Sequence, residues 1–342
     1  MIYLKKSLKH ISFNKQTLKH IYTVLICFSL TIFMFFSRIY LYQKNQYSYA
    51  ITPKTTYQYI GNLTIFTLNP LIAFTSTFEK NNNKKDNQNF TVSQFKNLLK
   101  TLHKNNFILV NSDIISPKNI ENNTVKITLP LNKKPLILNF KNLDYSNKYT
   151  GFIDKYILDR NNHISTYTKQ EYIHDRVSND NDFIPILENF LNENPDFSYK
   201  SARANLIVNG DKGFLGYEIQ PTNQFYKHEQ RELSKVTKRL KSLGYNFIYG
   251  CYNHNYLHQK TDYNSIEKDF SYYKKHCLKT TEKNNQLYIH HSNIENYSKL
   301  LKQKYITFIE DYQFNTHQKN NLTLLSTIVL TPQNIDTLHK FL

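Results

Sequence analysis

Lys141 and Asn142 stand at the end of an apolar run, Leu136-Ile137-Leu138-Asn139-Phe140. The run reads as a buried strand. A strand that delivers polar side chains at its C-terminal end is how β/α barrels build active sites. A metal-dependent or acid–base enzyme wants carboxylates at that point, and the delivered pair is an ammonium and a neutral amide. A second run, Tyr245 to Tyr249, leads into Gly250-Cys251-Tyr252-Asn253-His254, and a third, Leu287-Tyr288-Ile289, into His290-His291-Ser292. His290 and His291, adjacent on a strand, point to opposite faces. Asp144 is two residues beyond Asn142, and each strand step moves a side chain by about 3 Å. Gly210, Gly213 and Gly216 lack the spacing and the following Lys-Ser/Thr of a phosphate loop. No Gly-x-Ser-x-Gly nucleophile elbow occurs.

The elements that must position these residues alternate. Val92, Phe95, Leu98, Leu99 and Leu102 recur at helical spacing after a Thr91 or Ser93 cap. Phe183 to Leu191, Leu233 to Leu243 with Gly244 after it, Ile266 to Cys277 and Ile294 to Leu301 repeat that pattern. Between them lie short apolar runs: Leu71–Phe74, Phe107–Val110, Leu136–Phe140, Leu206–Val208, Tyr245–Tyr249, Leu287–Ile289, Ile306–Phe308 and Thr327–Leu330. Strands alternating with helices of this length imply a largely parallel sheet of about seven strands. Periodicity fits a closed barrel and an open doubly wound sheet equally. Tyr156-Ile157-Leu158 and His163 to Thr166 flank Asp159-Arg160-Asn161-Asn162, which predicts a hairpin insertion within about 143–180.

The N-terminus is of another kind. Ile21 to Ser37 is uncharged and mostly apolar, and after Arg38 the run resumes through Tyr42. With Arg38 snorkelling, it reaches the roughly 20 residues that cross a bilayer. Five lysines precede it, which predicts a cytoplasmic N-terminus and an uncleaved, single-pass anchor in the cell membrane. The expected organisation is a basic tail at 1–20, a transmembrane signal-anchor at 21–42, a stalk or leading segment at 43–68 and an extracytoplasmic barrel at 69–342. Net charge is +18, of which the first forty residues supply +6 and no acid. Such a surplus favours an anionic partner, although the abundance of Lys, Asn, Ile and Tyr also fits a compositional bias. The basic–aromatic cluster Tyr272 to His276 reads as a solvated helix face, and no nucleic acid is expected as partner. Cys251 and Cys277 fall at opposite ends of one strand–helix unit, so no disulfide is expected.

Three segments, in order, carry a resemblance. They are Asn89-Phe90-Thr91-Val92-Ser93 with Asn105 to Asp113, then Lys133 to Asn142, then Leu240 to His254. Together with Pro195 to Lys200 and Gly213 to Tyr217, they resemble the polysaccharide deacetylase family (carbohydrate esterase family 4, the NodB homology domain). The likeness spans roughly 69–335. It implies a distorted (β/α)7 TIM-like barrel, here after one N-terminal transmembrane helix, and removal of N-acetyl groups from a cell-wall or exopolysaccharide sugar. In that family an aspartate base and an aspartate plus two histidines on a divalent metal do the chemistry, the metal lowering the pKa of its water. Here Lys141 stands at the base position, and Asn142, Gly250 and His254 at the metal positions, of which His254 alone matches. The resemblance therefore implies a catalytically impaired member, without a cofactor, that binds cell-surface glycan in a groove of Lys141, Asn142, Tyr252, His254 and Tyr288. Two alternatives stand beside it: an active deacetylase holding a divalent metal such as zinc through substituted ligands, and a basic tether for anionic wall polymer. Lys141 is expected to face solvent at the barrel mouth. The alternative is that its ammonium sits where the metal would and binds an acidic or carbonyl group.

Overall fold

The computed structural model describes residues 14–46, 55–81, 88–116, 119–121, 124–145, 150–169, 176–208, 213–220, 222–250, 263–277, 286–290, 306–310, 316–319 and 322–340. The chain divides into two compact units, Met1–Ser48 and Tyr49–Leu342. The first holds helix α1 (Lys15–Gln46), in which Lys19–Arg38 is long and apolar enough to cross a membrane. A signal sequence meets the same criteria of length and composition. Thr23, Ser29, Thr31 and Ser37 each donate their hydroxyl to a helix carbonyl three or four residues back, so these four hydroxyls are satisfied within α1.

The second unit is a closed barrel. Its seven parallel strands are β2 (Thr64–Leu68), β6 (Lys134–Phe140), β10 (Asn205–Val208), β11 (Asn246–Gly250), β12 (Gln286–His290), β13 (Ile306–Glu310) and β15 (Leu322–Val329). They run in the order β10-β11-β12-β13-β15-β2-β6, and β6 pairs back onto β10. That last pairing excludes the open doubly wound sheet. Helices α3 (Val92–Lys104), α4 (Phe183–Glu193), α5 (Tyr226–Leu243) and α6 (Tyr263–Cys277) bury one face each. Thr91 caps α3 through a reciprocal box with Gln94, which fixes where that helix starts. The expected helix at Ile294–Leu301 lies outside the described residues.

Each of the seven strands sends one large side chain into the barrel: Ile65, Ile137, Ile207, Ile248, Tyr288, Phe308 and Leu325. A small antiparallel sheet of β1 (Thr56–Gly61), β4 (Ile120–Glu121) and β5 (Thr124–Pro130) adds Val125, Ile127 and Leu129 to this cluster. The sequence Asn111-Ser112-Asp113 turns beneath the first residues of β10, β11 and β12. Ser112 Oγ lies 2.9 Å from Gln286 Oε1 and 3.1 Å from Asn205 Oδ1, which share its single proton, and Asn246 Nδ2 donates to Asn111 Oδ1 at 2.5 Å. Above the turn, Asn205 Nδ2 donates to Asn139 Oδ1, Asn139 Nδ2 to Thr67 Oγ1, and Thr67 Oγ1 meets Thr327 Oγ1. A polar thread thus crosses the barrel interior with its members mutually satisfied, as burial requires.

The expected stalk at 43–68 needs correction. It contains β1 and β2, and β2 is a barrel strand between β15 and β6. The strand expected at Leu71–Phe74 is instead a turn with a single bridge, Ile72 to Thr91. Strand β3 (Phe107–Leu109) forms where expected, but it pairs outside the closed ring, on β6. The hairpin insertion is present as a three-stranded sheet of β7 (Lys155–Leu158), β8 (Ile164–Tyr167) and β9 (Val177–Ser178).

Gly244 ends α5 in the left-handed region at φ 104°, and a Cβ there would lie 2.6 Å from the carbonyl oxygen of Ser201. Strain and overlap act together at this position. Gly244→Ala is expected to lower stability by at least about 1 kcal/mol, read from the midpoint of urea unfolding.

Candidate functional site

The inward alternation of β6 through Ile137 and Asn139 continues one step past the strand, because the Lys141 amide still donates to the Leu68 carbonyl of β2. The Lys141 side chain therefore enters the barrel at its C-terminal end. On β13 the same alternation carries Phe308 and then Glu310 inward. The two strands are three apart one way round the ring and four the other, so they face each other across its diameter. Lys141 Nζ donates to Glu310 Oε1 at 2.5 Å, and the Tyr288 hydroxyl on β12 donates to the same oxygen at 2.9 Å. Tyr288 is fully buried, and the side chains of Lys141 and Glu310 are 10% and 15% exposed. An ion pair this far out of water keeps much of its Coulomb energy, which offsets the cost of removing both charges from solvent.

The expectation that Lys141 faces solvent is corrected by this contact. The structure instead pairs the ammonium with an acidic group, Glu310, inside the barrel mouth. Asn142 turns the chain at φ 62°, a conformation that asparagine tolerates. Its Nδ2 donates to Asn69 Oδ1 at 2.7 Å, just after β2, and its Oδ1 is buried with no partner among the described residues. Gly250 ends β11 beside Tyr288, where a Cβ would lie 2.2 Å from the Tyr288 carbonyl oxygen. No larger residue fits there unless β12 moves. Of the expected groove, Lys141 and Tyr288 share one hydrogen-bonded cluster and Asn142 joins a neighbouring one. Tyr252 and His254 lie outside the described residues, as do Cys251 and His291.

The positions that the resemblance assigns to a divalent metal do not fit one. Lys141 places a cation across the mouth, Gly250 has no room for a side chain, and Asn142 offers only a neutral amide oxygen. Among the described residues no group of three or more His, Cys, Asp or Glu side chains converges. Glu310 was not foreseen from sequence, yet the alternation through Phe308, extended by one step, points to it.

A second buried cluster holds the loops beside this mouth. Asp182 caps α4 and accepts from the Tyr145 hydroxyl at 2.6 Å, from the Phe183 amide at 2.7 Å and from the Leu71 amide at 3.3 Å. Leu71 follows β2 and Tyr145 follows β6, so one carboxyl ties together both loops that carry Asn69 and Asn142. The Tyr156 hydroxyl, on β7, lies 3.4 Å from that of Tyr145. Complete burial raises the Asp182 pKa to about 7, against the lowering effect of its hydrogen bonds. The same burial, with Asp182 beside them, pushes both tyrosines well above their ordinary value.

A scan against protein-family models finds no match, and a search of curated proteins finds none. The fold itself defines the class: an α/β protein with a closed seven-stranded parallel barrel, preceded in sequence by one apolar helix.

Two predictions follow from these contacts. Lys141→Met leaves Glu310 without its cation and is expected to cost about 3 kcal/mol, whereas Lys141→Met with Glu310→Gln costs less than the sum of the single changes. Chemical denaturation of the four proteins measures that coupling. Asp182 is protonated in the fold between its unfolded pKa near 3.8 and its folded value of about 7. Its contribution is therefore full below the lower value and is lost as pH rises through the upper one. The stability difference between wild type and Asp182→Asn should fall by a few kcal/mol from pH 4 to pH 7, and a flat difference would show that Asp182 ionises normally.

Proposed function

We propose that this chain is a membrane-anchored, extracytoplasmic glycan-binding protein built on a polysaccharide-deacetylase-like barrel that has given up metal-dependent hydrolysis. The observation that carries the reading is the Lys141–Glu310 contact with Tyr288. At the end of a barrel where active sites form, the chain supplies its own cation and its own counter-charge. The ordered motifs from Asn89 to His254 support the family, and the substitutions within them fit a mouth that no longer needs a metal. The apolar stretch Lys19–Arg38 with its basic flank supports the anchor.

In this reading the barrel mouth recognises sugar by hydrogen bonding. Tyr288 holds its hydroxyl fixed beside a charged pair, and the half-buried Asn142 side chain borders that pair with one acceptor not used by the fold among the described residues. Aromatic residues with one polar tip suit sugar rings, which offer apolar faces and hydroxyl edges.

The test uses the unit from Tyr49 onward. It is expected to bind N-acetylated glycan oligomers, to carry zinc, cobalt and manganese far below one equivalent, and to release no acetate. Asn142→Ala should weaken that binding several-fold. Stoichiometric metal, together with acetate release abolished by His254→Ala, contradicts the reading.

A further inference from the structure

Helix α5 segregates its charge. Successive residues advance about 100° around a helix. On that wheel Lys227, Arg231 and Lys238 fall within about 40° of one line, with Lys235 and His228 beside them. All five are exposed. The opposite side carries Leu233, Val236, Leu240 and Leu243, which are buried in the core. The two acids of the helix lie off the outward line. Glu229 points inward, where Lys155 Nζ donates to both of its oxygens at 3.2 Å, and Glu232 sits at the flank, 2.7 Å from Lys235 Nζ. Lys227, Arg231 and Lys238 make no ion pair among the described residues. The helix has six lysines and arginines against these two acids.

We infer that the outward face of α5 is a docking track for a linear, phosphate-bearing polymer. The cations run in a line that climbs about 16 Å from Lys227 to Lys238, which suits a chain of charges laid along the helix. Arginine adds paired donors matched to phosphate oxygens. A bilayer surface fits less well. Helices that lie on membranes bury large apolar side chains in the interface, and none between Tyr226 and Leu243 is exposed; Phe225, just before the helix, is the nearest. The track is independent of the barrel mouth, so it holds whether or not the mouth binds glycan.

The experiment uses the full chain in neutral detergent, with a synthetic poly(glycerol phosphate) oligomer as probe and phosphatidylglycerol vesicles as the comparison. Arg231→Glu with Lys238→Glu is compared with a charge-matched control, Lys104→Glu with Lys126→Glu, whose lysines are exposed on α3 and β5. Glutamate is a good helix former, and circular dichroism checks that α5 persists. The first pair should weaken polymer binding at least tenfold and flatten its salt dependence, while the control changes it less than threefold. Equal losses from both pairs, or no polymer binding at 150 mM salt, overturn the inference. Vesicle binding tighter than polymer binding and lost with the α5 pair also overturns it and assigns the face to lipid.

Discussion

An ammonium and a carboxylate meet across the diameter of a seven-stranded barrel, and the rest of the mouth is arranged around that contact. Lys141 and Glu310 come from strands on opposite sides of the ring, 169 residues apart in sequence. Neither charge is stable alone at such burial, because desolvation of an ion costs several kcal/mol unless a partner returns it. The pair therefore couples two strands, β6 and β13, that do not pair with each other in the sheet. Tyr288 adds a second donor to the same oxygen and fixes the carboxylate in place. Tyr288 in turn explains Gly250, since its backbone occupies the space in which any side chain at that position would begin.

Below this contact the barrel is held by two different means. A ring of one large side chain per strand, aliphatic or aromatic, gives the non-directional burial that any closed barrel needs. The thread of Thr327, Thr67, Asn139, Asn205, Ser112 and Gln286 gives direction. A buried amide without a partner is costly, so these hydrogen bonds specify one strand register among several that the ring alone would accept. Loops at the mouth are fixed in the same way by Asp182, whose donors include groups from the loop after β2, the loop after β6 and the first turn of α4.

Much of this was legible in the sequence, for physical reasons that also mark the limit. Alternating strands and helices predict the layered architecture, and Thr91 and Gly244 mark helix ends because capping is a local property. Strand β2 is hidden because Thr64-Ile65-Phe66-Thr67-Leu68 is short and partly polar, and Thr67 is polar for a reason that only Thr327 and Asn139 reveal. Closure of the sheet was hidden because strand periodicity is the same in open and closed sheets. Lys141 was expected in solvent because its partner is distant in sequence and a lone lysine is seldom buried. Glu310 itself follows from the inward alternation of β13, but nothing local says that Lys141 waits opposite.

The central claim is that the cation at the barrel mouth belongs to the chain. Zinc-edge anomalous diffraction from crystals of the barrel unit soaked in zinc tests it most directly. The account predicts no anomalous peak between residues 141 and 310, with Lys141 Nζ in hydrogen-bond contact with Glu310. A zinc peak at the mouth, with the lysine swung out and Glu310 or His254 as ligands, would contradict it.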